Sequence, residues 1–231
     1  PLRLVGSEMC IRDSTTTDIV RLPAADQRKR GLVVSITADD FAAGDTVHYL
    51  SNHGIEGYFE AHKAPSIIKE VEGKKSFSFD GHQVFQSSFS LPATLLDNAP
   101  YTLEAWILND SIAENECVAD FTTSHDELEK IMLVNGTEPR CGVINHYGWY
   151  EDAGYKDMKE LTGKWQHIYI CFDGRIEQVY INGKLISEKD IQLLIKPSQY
   201  VTLGRNAEHN WPFTGYLHSL KLWDEYIPIK K

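Results

Sequence analysis

Apolar and polar residues alternate in short runs along most of the chain, beginning at Leu32. Side chains of a strand point to its two faces in turn, so a period of two predicts strands with one buried face. Turn residues separate these runs about every ten positions, a spacing typical of an antiparallel sandwich or barrel. The strands predicted from this pattern cover residues 32–37, 57–62, 76–79, 83–89, 101–108, 117–122, 130–134, 142–147, 165–172, 176–181, 184–188, 201–204 and 215–224. The sequence therefore predicts an all-β fold, an antiparallel sandwich of two sheets.

A glycine that follows an asparagine or aspartate marks each predicted hairpin turn. Both residues of such a pair accept the positive φ angles that tight turns between antiparallel strands require. The pairs that fit are Asp80-Gly81, Asn135-Gly136, Asp173-Gly174 and Asn182-Gly183. Helix signals are weak, and the sequence predicts only short turns over residues 92–98 and 124–128.

The alternation also predicts which side chains share a face. In the strand at residues 101–108, the predicted core residues are Tyr101, Leu103, Ala105 and Ile107. In the strand at residues 165–172, they are Ile168, Ile170 and Phe172. Two packed sheets bury only their inner faces, so the other residues of both strands are expected on an outer surface, which a curved sheet would make concave. We interpret Trp106, His167 and Tyr169 as ligand-binding candidates there, although aromatic cross-strand pairs also stabilise sheets that bind nothing.

Composition narrows the range of partners. The 231 residues are 42% hydrophobic, which is enough for the core of one domain. The net charge is −10, so the sequence has no excess of positive charge that would favour binding to nucleic acid or to an anionic membrane surface. No apolar run approaches the ~20 residues that a membrane-spanning helix needs. An acidic chain with 11% aromatic residues suits neutral ligands, sugars or cations.

The cysteines do not form a recognisable framework. They are Cys10, Cys117, Cys141 and Cys171. Four scattered cysteines are too few for a disulfide scaffold. If the strand ending at Tyr147 formed a hairpin with the strand beginning at Trp165, Cys141 would lie opposite Cys171. Directly cross-strand disulfides are strained, so we expect free, partly buried thiols instead.

The first residues require a separate interpretation. Residues 9–14 read Met-Cys-Ile-Arg-Asp-Ser, which is one translated frame of a transposase mosaic-end sequencing adapter. We interpret residues 1–14 as a non-native scar from the assembly of metagenomic reads, and residues 1–30 as scar plus flexible lead-in. A signal peptide upstream of such a scar would be lost from the sequence. The predicted domain covers residues 31–231.

The connection at residues 145–155 holds the densest cluster of aromatic and acidic side chains. Aromatic ring faces stack on the C–H patches of sugars, and nearby carboxylates and amides hold hydroxyl groups. Loops carry binding residues more often than the elements they join. The alternative is that Trp149 and Tyr150 fold back and cover the sheet. The ligand-binding candidates in this loop are His146, Tyr147, Trp149, Tyr150, Glu151 and Asp152.

Several motifs occur in an informative order. They are Lys75-Ser-Phe-Ser-Phe-Asp-Gly81, Tyr101-Thr-Leu-Glu-Ala-Trp-Ile107, Trp165-Gln-His-Ile-Tyr-Ile-Cys-Phe-Asp-Gly174, Val179-Tyr-Ile-Asn-Gly-Lys184, Val201-Thr-Leu-Gly204 and Phe213-Thr-Gly-Tyr-Leu-His-Ser-Leu-Lys-Leu-Trp-Asp224. Their residues and their order resemble the motifs of the laminin-G-like, or concanavalin A-like, jelly-roll domains. The resemblance extends from Gly31 to Trp223. It implies a two-sheet jelly roll that serves recognition without catalysis. It also implies a module of a larger exported bacterial protein, extracellular or at the cell surface.

The same resemblance bears on calcium binding. Many relatives have Gly-x-Ile-Asp-Glu-Val in the last strand, whereas this chain has Gly215-Tyr-Leu-His-Ser-Leu220, with His218 in place of an acidic residue. Calcium derives most of its affinity from carboxylate oxygens. The first and last strands of related jelly rolls meet, so Asp39, Asp40 and Asp224 are candidate ligands of a structural calcium ion. We expect no required cofactor.

Two other classes of function stay open at this point. Glycosidases of this architecture use two carboxylates about 5–9 Å apart, and Glu104 with Asp120 beside His167 is a candidate pair. Glu114, Glu116 and Asp120 lack the Glu-x-Asp-x-Glu spacing of jelly-roll glycanases. The third class is a structural protein-interaction domain with a large apolar patch. We predict a non-enzymatic module that binds a carbohydrate or cell-surface glycan, with other protein domains as alternative partners, no nucleic acid and no membrane insertion.

Overall fold

The computed structural model describes residues 31–112, 115–122, 128–136, 144–145, 162–206 and 211–229. These residues form sixteen strands and two short 3-10 turns, Ala38–Asp40 and Ala93–Leu95. The strands are β1 (Leu32–Thr37), β2 (Thr46–Val47), β3 (Tyr49–Ser51), β4 (Tyr58–Ala61), β5 (Ser66–Val71), β6 (Lys74–Asp80), β7 (Phe85–Ser87), β8 (Tyr101–Leu108), β9 (Asn115–Asp120), β10 (Met132–Gly136), β11 (Ile144–Asn145), β12 (Gln166–Phe172), β13 (Ile176–Ile181), β14 (Lys184–Asp190), β15 (Thr202–Leu203) and β16 (Thr214–Trp223).

Two antiparallel sheets contain these described strands. The larger sheet has nine strands in the order β14-β13-β12-β8-β16-β6-β5-β2, with β1 also paired to β16. The smaller sheet has seven strands in the order β11-β10-β9-β15-β7-β4-β3. Consecutive strands often change sheet, as β8 and β9 do. The two-sheet antiparallel jelly roll predicted from the sequence is confirmed.

One hydrophobic core lies between the sheets. The strands β8 and β12 contribute the fully buried residues Tyr101, Leu103, Ala105, Ile107, Ile168, Ile170 and Phe172. The smaller sheet contributes Phe59, Phe85, Leu133 and Leu203. The register places Leu103 opposite Ile170 and Ala105 opposite Ile168. The inward sets of both strands are therefore those that the alternation predicted.

Three strands, β2, β3 and β5, were absent from the sequence prediction. The strands β2 and β3 have only two and three residues, too few for an alternation to be visible. The chain passes from β5 to β6 through Glu72 and Gly73, whose φ angles of 51° and 78° are both positive. Such angles fit a primed hairpin turn, for which glutamate is not a favoured residue. The short turn predicted over residues 92–98 is present at Ala93–Leu95, and residues 123–127 lie outside the described part of the chain.

The predicted hairpin turns have mixed outcomes. Asp173-Gly174 joins β12 to β13 and Asn182-Gly183 joins β13 to β14, as predicted. Asp80-Gly81 ends β6, but the chain then enters β7 in the other sheet, so this turn closes no hairpin. Asn135-Gly136 lies inside β10, where Asn135 pairs with Glu116, and the prediction of a turn there is wrong. The Asn135 side chain is buried and hydrogen-bonded within the fold, which outweighs its preference for turns.

The hairpin considered between Tyr147 and Trp165 is wrong. The strand β12 pairs with β8 on one edge and with β13 on the other. Both edges of β12 are thus occupied over residues 168–172, and β11 pairs instead with β10 in the smaller sheet. Cys171 and Cys117 are free, fully buried thiols, and Cys141 lies outside the described residues.

Candidate functional site

The outer face of the larger sheet carries many aromatic side chains. A residue opposite an outward position of β8, or two positions along the same strand, shares this face. Its partly exposed aromatic residues are Trp106, Trp165, His167, Tyr169, Tyr180, Tyr216 and Trp223. Charged side chains lie between the rings, among them Glu104, Lys74 and Lys221. We call this surface the aromatic face.

Trp106 lies between a histidine and a lysine. The His167 ring stacks on the indole with 4.6 Å between centroids and 19° between ring planes. The Lys74 ammonium lies 4.5 Å from the centroid of the indole, a cation–π distance. Because β12 and β6 lie on opposite sides of β8, the two groups approach the indole from opposite sides. Trp106 therefore presents an edge, and not a free ring face, to a ligand.

Glu104 holds His167 in position. His167 Nε2 donates to Glu104 Oε1 at 2.7 Å, and Lys221 Nζ lies 3.6 Å from the other carboxylate oxygen. The hydrogen bond from His167, assisted by the charge of Lys221, lowers the pKa of Glu104 although burial acts in the opposite direction. The side chains of Glu104 and His167 are 23% and 27% exposed. A charged, partly accessible carboxylate thus stands beside an oriented imidazole.

Tyr169 lies beneath the C-terminal residues 224–229. Its hydroxyl donates to the carbonyl oxygen of Ile227 at 2.7 Å. The Thr102 hydroxyl donates to the Glu225 carbonyl at 2.8 Å and accepts from the Ile227 amide at 2.8 Å. Burial raises the pKa of Tyr169 to about 12, so the phenol stays neutral at physiological pH. The Tyr169 hydroxyl is therefore occupied by the chain itself, and Trp106, His167 and Glu104 form the accessible centre of the aromatic face.

Most of the predicted binding loop lies outside the described residues. The candidates concerned are His146, Tyr147, Trp149, Tyr150, Glu151 and Asp152. The structure therefore brings together Trp106, His167 and Tyr169 and leaves the six loop candidates as a prediction.

The three aspartates considered for calcium do not converge. Asp39 and Asp40 follow the end of β1, whereas the Asp224 amide donates to the Gly31 carbonyl at the beginning of β1. The length of β1 separates these positions by roughly 20 Å at the usual rise of a strand. The prediction that they meet is wrong. Each aspartate follows the C-terminal end of β1 or β16, and antiparallel pairing places these two C-terminal ends at opposite ends of the strand pair. In the parts of the chain that the structure describes, no group of three or more His, Cys, Asp or Glu residues is arranged to hold a metal ion.

Glu104 and Asp120 do not form the acid–base pair considered for catalysis. Asp120 lies on β9 of the smaller sheet and is 2% exposed. Glu104 lies on the outer face of the larger sheet, with the hydrophobic core between them. The sequence placed both residues on strands but did not show that the two strands belong to different sheets.

Glu116, another carboxylate considered for catalysis, closes one end of the sandwich. It is buried and accepts hydrogen bonds from Asn109 Nδ2 and from the Thr214 hydroxyl, both at 2.7 Å. Asn109 Oδ1 in turn accepts from Asn135 Nδ2 at 2.7 Å. The network joins β9 and β10 of the smaller sheet to β16 and the end of β8 in the larger sheet. Asn135 and Thr214 are distant in sequence from Asn109 and Glu116, so the alternation along single strands could not reveal the network. Glu114 lies outside the described residues.

The outer face of the smaller sheet has a polar hollow that the sequence analysis missed. It is a shallow pocket of about 120 Å³ between β4 and β7, which we call the β4–β7 pocket. The residues that line it are Tyr58, Glu60, His62, Gln86, Ser87 and Ser88. The alternation Tyr58-x-Glu60-x-His62 was visible in the sequence as a polar strand face. Nothing in the sequence showed that Gln86 pairs with Glu60 across the two strands.

The sequence matches one family. A profile of the concanavalin A-like lectin/glucanases superfamily matches residues 81–227, which is more than half of the chain. The chain belongs to this superfamily, and the resemblance inferred from its motifs is confirmed. A search of curated proteins finds no match. The described residues contain no helix that is long and apolar enough to cross a membrane.

Solved structures with the same fold include a domain of an extracellular enzyme and binding domains of toxins. One is domain 4 of AbnA, a GH43 extracellular arabinanase from Geobacillus stearothermophilus, in complex with arabinotriose; it is 16% identical with a TM-score of 0.57, over 86% of this chain and 94% of that chain. The receptor binding domain of botulinum neurotoxin C/D mosaic serotype is 13% identical with a TM-score of 0.55. The binding domain of botulinum neurotoxin DC in complex with SialylT is 11% identical with a TM-score of 0.52. Both toxin matches cover 86% of this chain and 49% of the other, so the chain spans about half the length of these domains. At these identities the likeness shows the fold alone.

Proposed function

We propose that this domain binds carbohydrate, without catalysis, through the aromatic face of its larger sheet. The observation that carries the proposal is the cluster of Glu104, His167 and Trp106, which is partly exposed and held in one arrangement by its own contacts. A carboxylate accepts hydrogen bonds from sugar hydroxyls, and the indole edge offers apolar contact. Membership of a lectin and glucanase superfamily supports this ligand class, as does a neighbour solved with arabinotriose.

Pre-organisation is the physical advantage of this cluster. Ordering a flexible side chain at an interface costs about 0.5–1.5 kcal/mol per side chain. Stacking on Trp106 and the hydrogen bond to Glu104 already restrict the His167 ring. The ammonium groups of Lys74 and Lys221 add donors at the edge of the cluster, so the aromatic face suits neutral or carboxylated sugars.

We also propose that the domain does not catalyse a reaction. Hydrolysis of a glycosidic bond on this architecture needs two carboxylates that flank the bond. Asp120, the partner considered for Glu104, lies in the other sheet and is buried. Glu104 itself is paired with His167 and Lys221, so its charge serves binding. Glycosidase activity that is present in the unmodified protein and lost in Glu104→Gln would contradict a non-catalytic role.

We also propose that the domain acts outside the cell within a larger exported bacterial protein, where residues 145–155 extend the binding surface. One structural neighbour is a domain of an extracellular enzyme, which supports a location outside the cell. Sequencing of the gene upstream of residue 15 tests it. We expect a signal peptide there. A native upstream domain typical of intracellular enzymes would contradict an extracellular location.

A glycan array followed by calorimetry tests the binding proposal. The array should include arabino-oligosaccharides and sialylated oligosaccharides, because both kinds of ligand fit the charges of the aromatic face. For the strongest array ligand, His167→Ala should raise Kd about tenfold, which corresponds to ~1.4 kcal/mol. The matched control is His53→Ala, since His53 Nε2 also lies 2.6 Å from a carboxylate oxygen, that of Asp40, and neither residue belongs to the aromatic face as defined above. An array without signal, or an unchanged Kd in His167→Ala, would overturn the proposal.

A further inference from the structure

The β4–β7 pocket places several polar side chains in one row across three strands. Tyr58 and Glu60 point outward because Phe59, between them, is fully buried in the core. Gln86 of β7 lies directly opposite Glu60 on one side. Tyr49 of β3 lies directly opposite Glu60 on the other side. The carboxylate of Glu60 thus has an amide on one flank and a phenol on the other.

Tyr49 gives this row a fixed shape. Its hydroxyl donates to Glu60 Oε1 at 3.0 Å, and its ring meets the Tyr58 ring edge to face with 5.9 Å between centroids. Tyr49 is nevertheless 48% exposed. The two tyrosine rings therefore form an apolar wall that remains open to solvent at the rim of the pocket.

Three polar groups of the pocket have no hydrogen-bond partner among the described residues. The Tyr58 hydroxyl, the His62 imidazole and the Gln86 amide make no hydrogen bond with any side chain or backbone group that the described structure places near them. An amide offers both a donor and an acceptor, and a phenol offers the same pair. The pocket therefore concentrates uncommitted hydrogen-bonding groups beside two aromatic rings.

We propose that the β4–β7 pocket is a second carbohydrate site, specific for a neutral sugar; the inference rests on the proposed function for its ligand class only. The carboxylate of Glu60 and the amide of Gln86, side by side, match the donors and acceptors of two adjacent sugar hydroxyls. Tyr58 offers a ring face or edge to the C–H groups of the same sugar. The pocket volume of about 120 Å³ is space for part of one sugar ring.

The charge of the pocket sets the specificity. No lysine or arginine is among the described residues that line it, and Glu60 is its one carboxylate. A carboxylated sugar would bring a second negative charge close to Glu60, which disfavours binding. The aromatic face, with Lys74 and Lys221, lacks this bias. The two sites should therefore differ in their response to sugar charge.

Chemical-shift titration of the 15N-labelled protein tests this inference. The probes are the methyl glycosides of glucose, galactose, mannose and arabinose, with N-acetylneuraminic acid as the anionic comparison. The amides of Phe59 and Gln86 report on the pocket, and those of Ala105 and Ile168 report on the aromatic face. At least one neutral glycoside should shift the pocket amides, and N-acetylneuraminic acid should leave them unchanged.

Variants then show whether the lining residues cause the shifts. Gln86→Leu should weaken the binding of that glycoside tenfold or more, because it removes the amide and keeps the size of the side chain. Gln192→Leu, at an exposed position between β14 and β15, is the matched control and should bind as the unmodified protein does. Glu60→Gln, which conserves shape, provides a second test if Gln86→Leu disturbs the fold.

Each outcome separates the two sites. Shifts confined to the aromatic-face amides would overturn the pocket site and leave the proposed function intact. Shifts confined to the pocket amides would support the pocket and contradict the aromatic face. No pocket shift with any probe, a pocket shift with N-acetylneuraminic acid, or full affinity in both Gln86→Leu and Glu60→Gln would overturn the pocket site.

Discussion

Glu104 and His167 form a diagonal pair across β8 and β12. The register places His167 opposite Trp106, yet His167 Nε2 donates to Glu104, two residues along β8, at 2.7 Å. The diagonal reach allows one imidazole to stack on the indole and to hold the carboxylate at the same time. The centre of the aromatic face is thus one coupled unit, and removal of any member should affect the other two.

The Glu104–His167 pair should make stability depend on pH in the acidic range. The pKa of Glu104 is lowered in the folded state, chiefly by the His167 hydrogen bond. A lowered folded-state pKa means that the pair stabilises the protein above the ordinary glutamate pKa, and that this contribution is lost as pH falls through the folded-state value. We expect Glu104→Gln to be less stable than the unmodified protein at neutral pH, by about 1 kcal/mol or less at this partly exposed site.

Urea unfolding at a series of pH values measures this effect. The difference in the free energy of unfolding between the two proteins should shrink as pH falls below the ordinary glutamate range. A difference that stays constant from neutral to strongly acidic pH would show that the lowered pKa of Glu104 does not contribute to folding.

Gly204 should tolerate no side chain. A Cβ at this position would lie 2.4 Å from the Gln83 carbonyl oxygen and 2.6 Å from the Phe79 ring, and φ is +86°. We expect Gly204→Ala to lower the free energy of unfolding by more than about 3 kcal/mol, since backbone strain and overpacking add. Gly183→Ala separates the two causes, because Gly183 also has a positive φ of +77° but nothing lies within 4 Å of its Cβ position. Equal losses of stability in the two variants would refute the steric explanation.

The buried hydrogen-bond network around Glu116 should contribute strongly to the free energy of unfolding. Asn109 is fully buried, donates to Glu116 and to the Thr214 carbonyl, and accepts from Asn135. Asn109→Ala leaves these groups without a partner, at a cost of about 1–3 kcal/mol for each buried group left unsatisfied. We expect a total loss of roughly 3 kcal/mol in the free energy of unfolding. The exposed neighbour Asp110 provides the control, and Asp110→Ala should change stability by less than about 0.5 kcal/mol. A loss below 1 kcal/mol in Asn109→Ala would mean that water replaces the missing amide.

The thiol of Cys171 should be inert in the folded protein. Burial, reinforced by the charge of Glu177, raises the pKa of Cys171 to about 11. Two pKa units above the ordinary value leave about a hundredfold less thiolate at neutral pH, and the thiolate is the reactive species. Iodoacetamide should therefore label the Cys171 peptide slowly in buffer and rapidly in urea, as measured by mass spectrometry. Equal labelling rates in the two conditions would contradict the burial of this side chain.

The alternation along β8 and β12 was sufficient to predict which residues face the core, although Thr102, Leu108 and Cys171 on the opposite face are also buried. Each of these strands pairs on both edges, and one face of each packs on the other sheet, so apolar residues must recur at every second position. Short strands such as β2 and β3 carry no such signal. Their pairing depends on partners that only the folded chain brings near.

The contacts of the candidate sites were harder to predict than the positions of their residues. Lys74 reaches Trp106 from β6, which is separated from β8 by β16. The hydroxyl of Tyr169 is taken by Ile227, and Gln86 meets Glu60 across a strand pair. Each of these contacts depends on the order of strands in a sheet. The periodicity of a single strand contains no information on that order.

A crystal structure of the protein with a bound saccharide would show which surface of the domain binds sugar. Crystals grown with the strongest array ligand should show the sugar on the aromatic face, with a hydroxyl within hydrogen-bond distance of the Glu104 carboxylate and a C–H group against the Trp106 edge. A saccharide bound only elsewhere, with no contact to Glu104, His167 or Trp106, would show that the aromatic face is not the binding site.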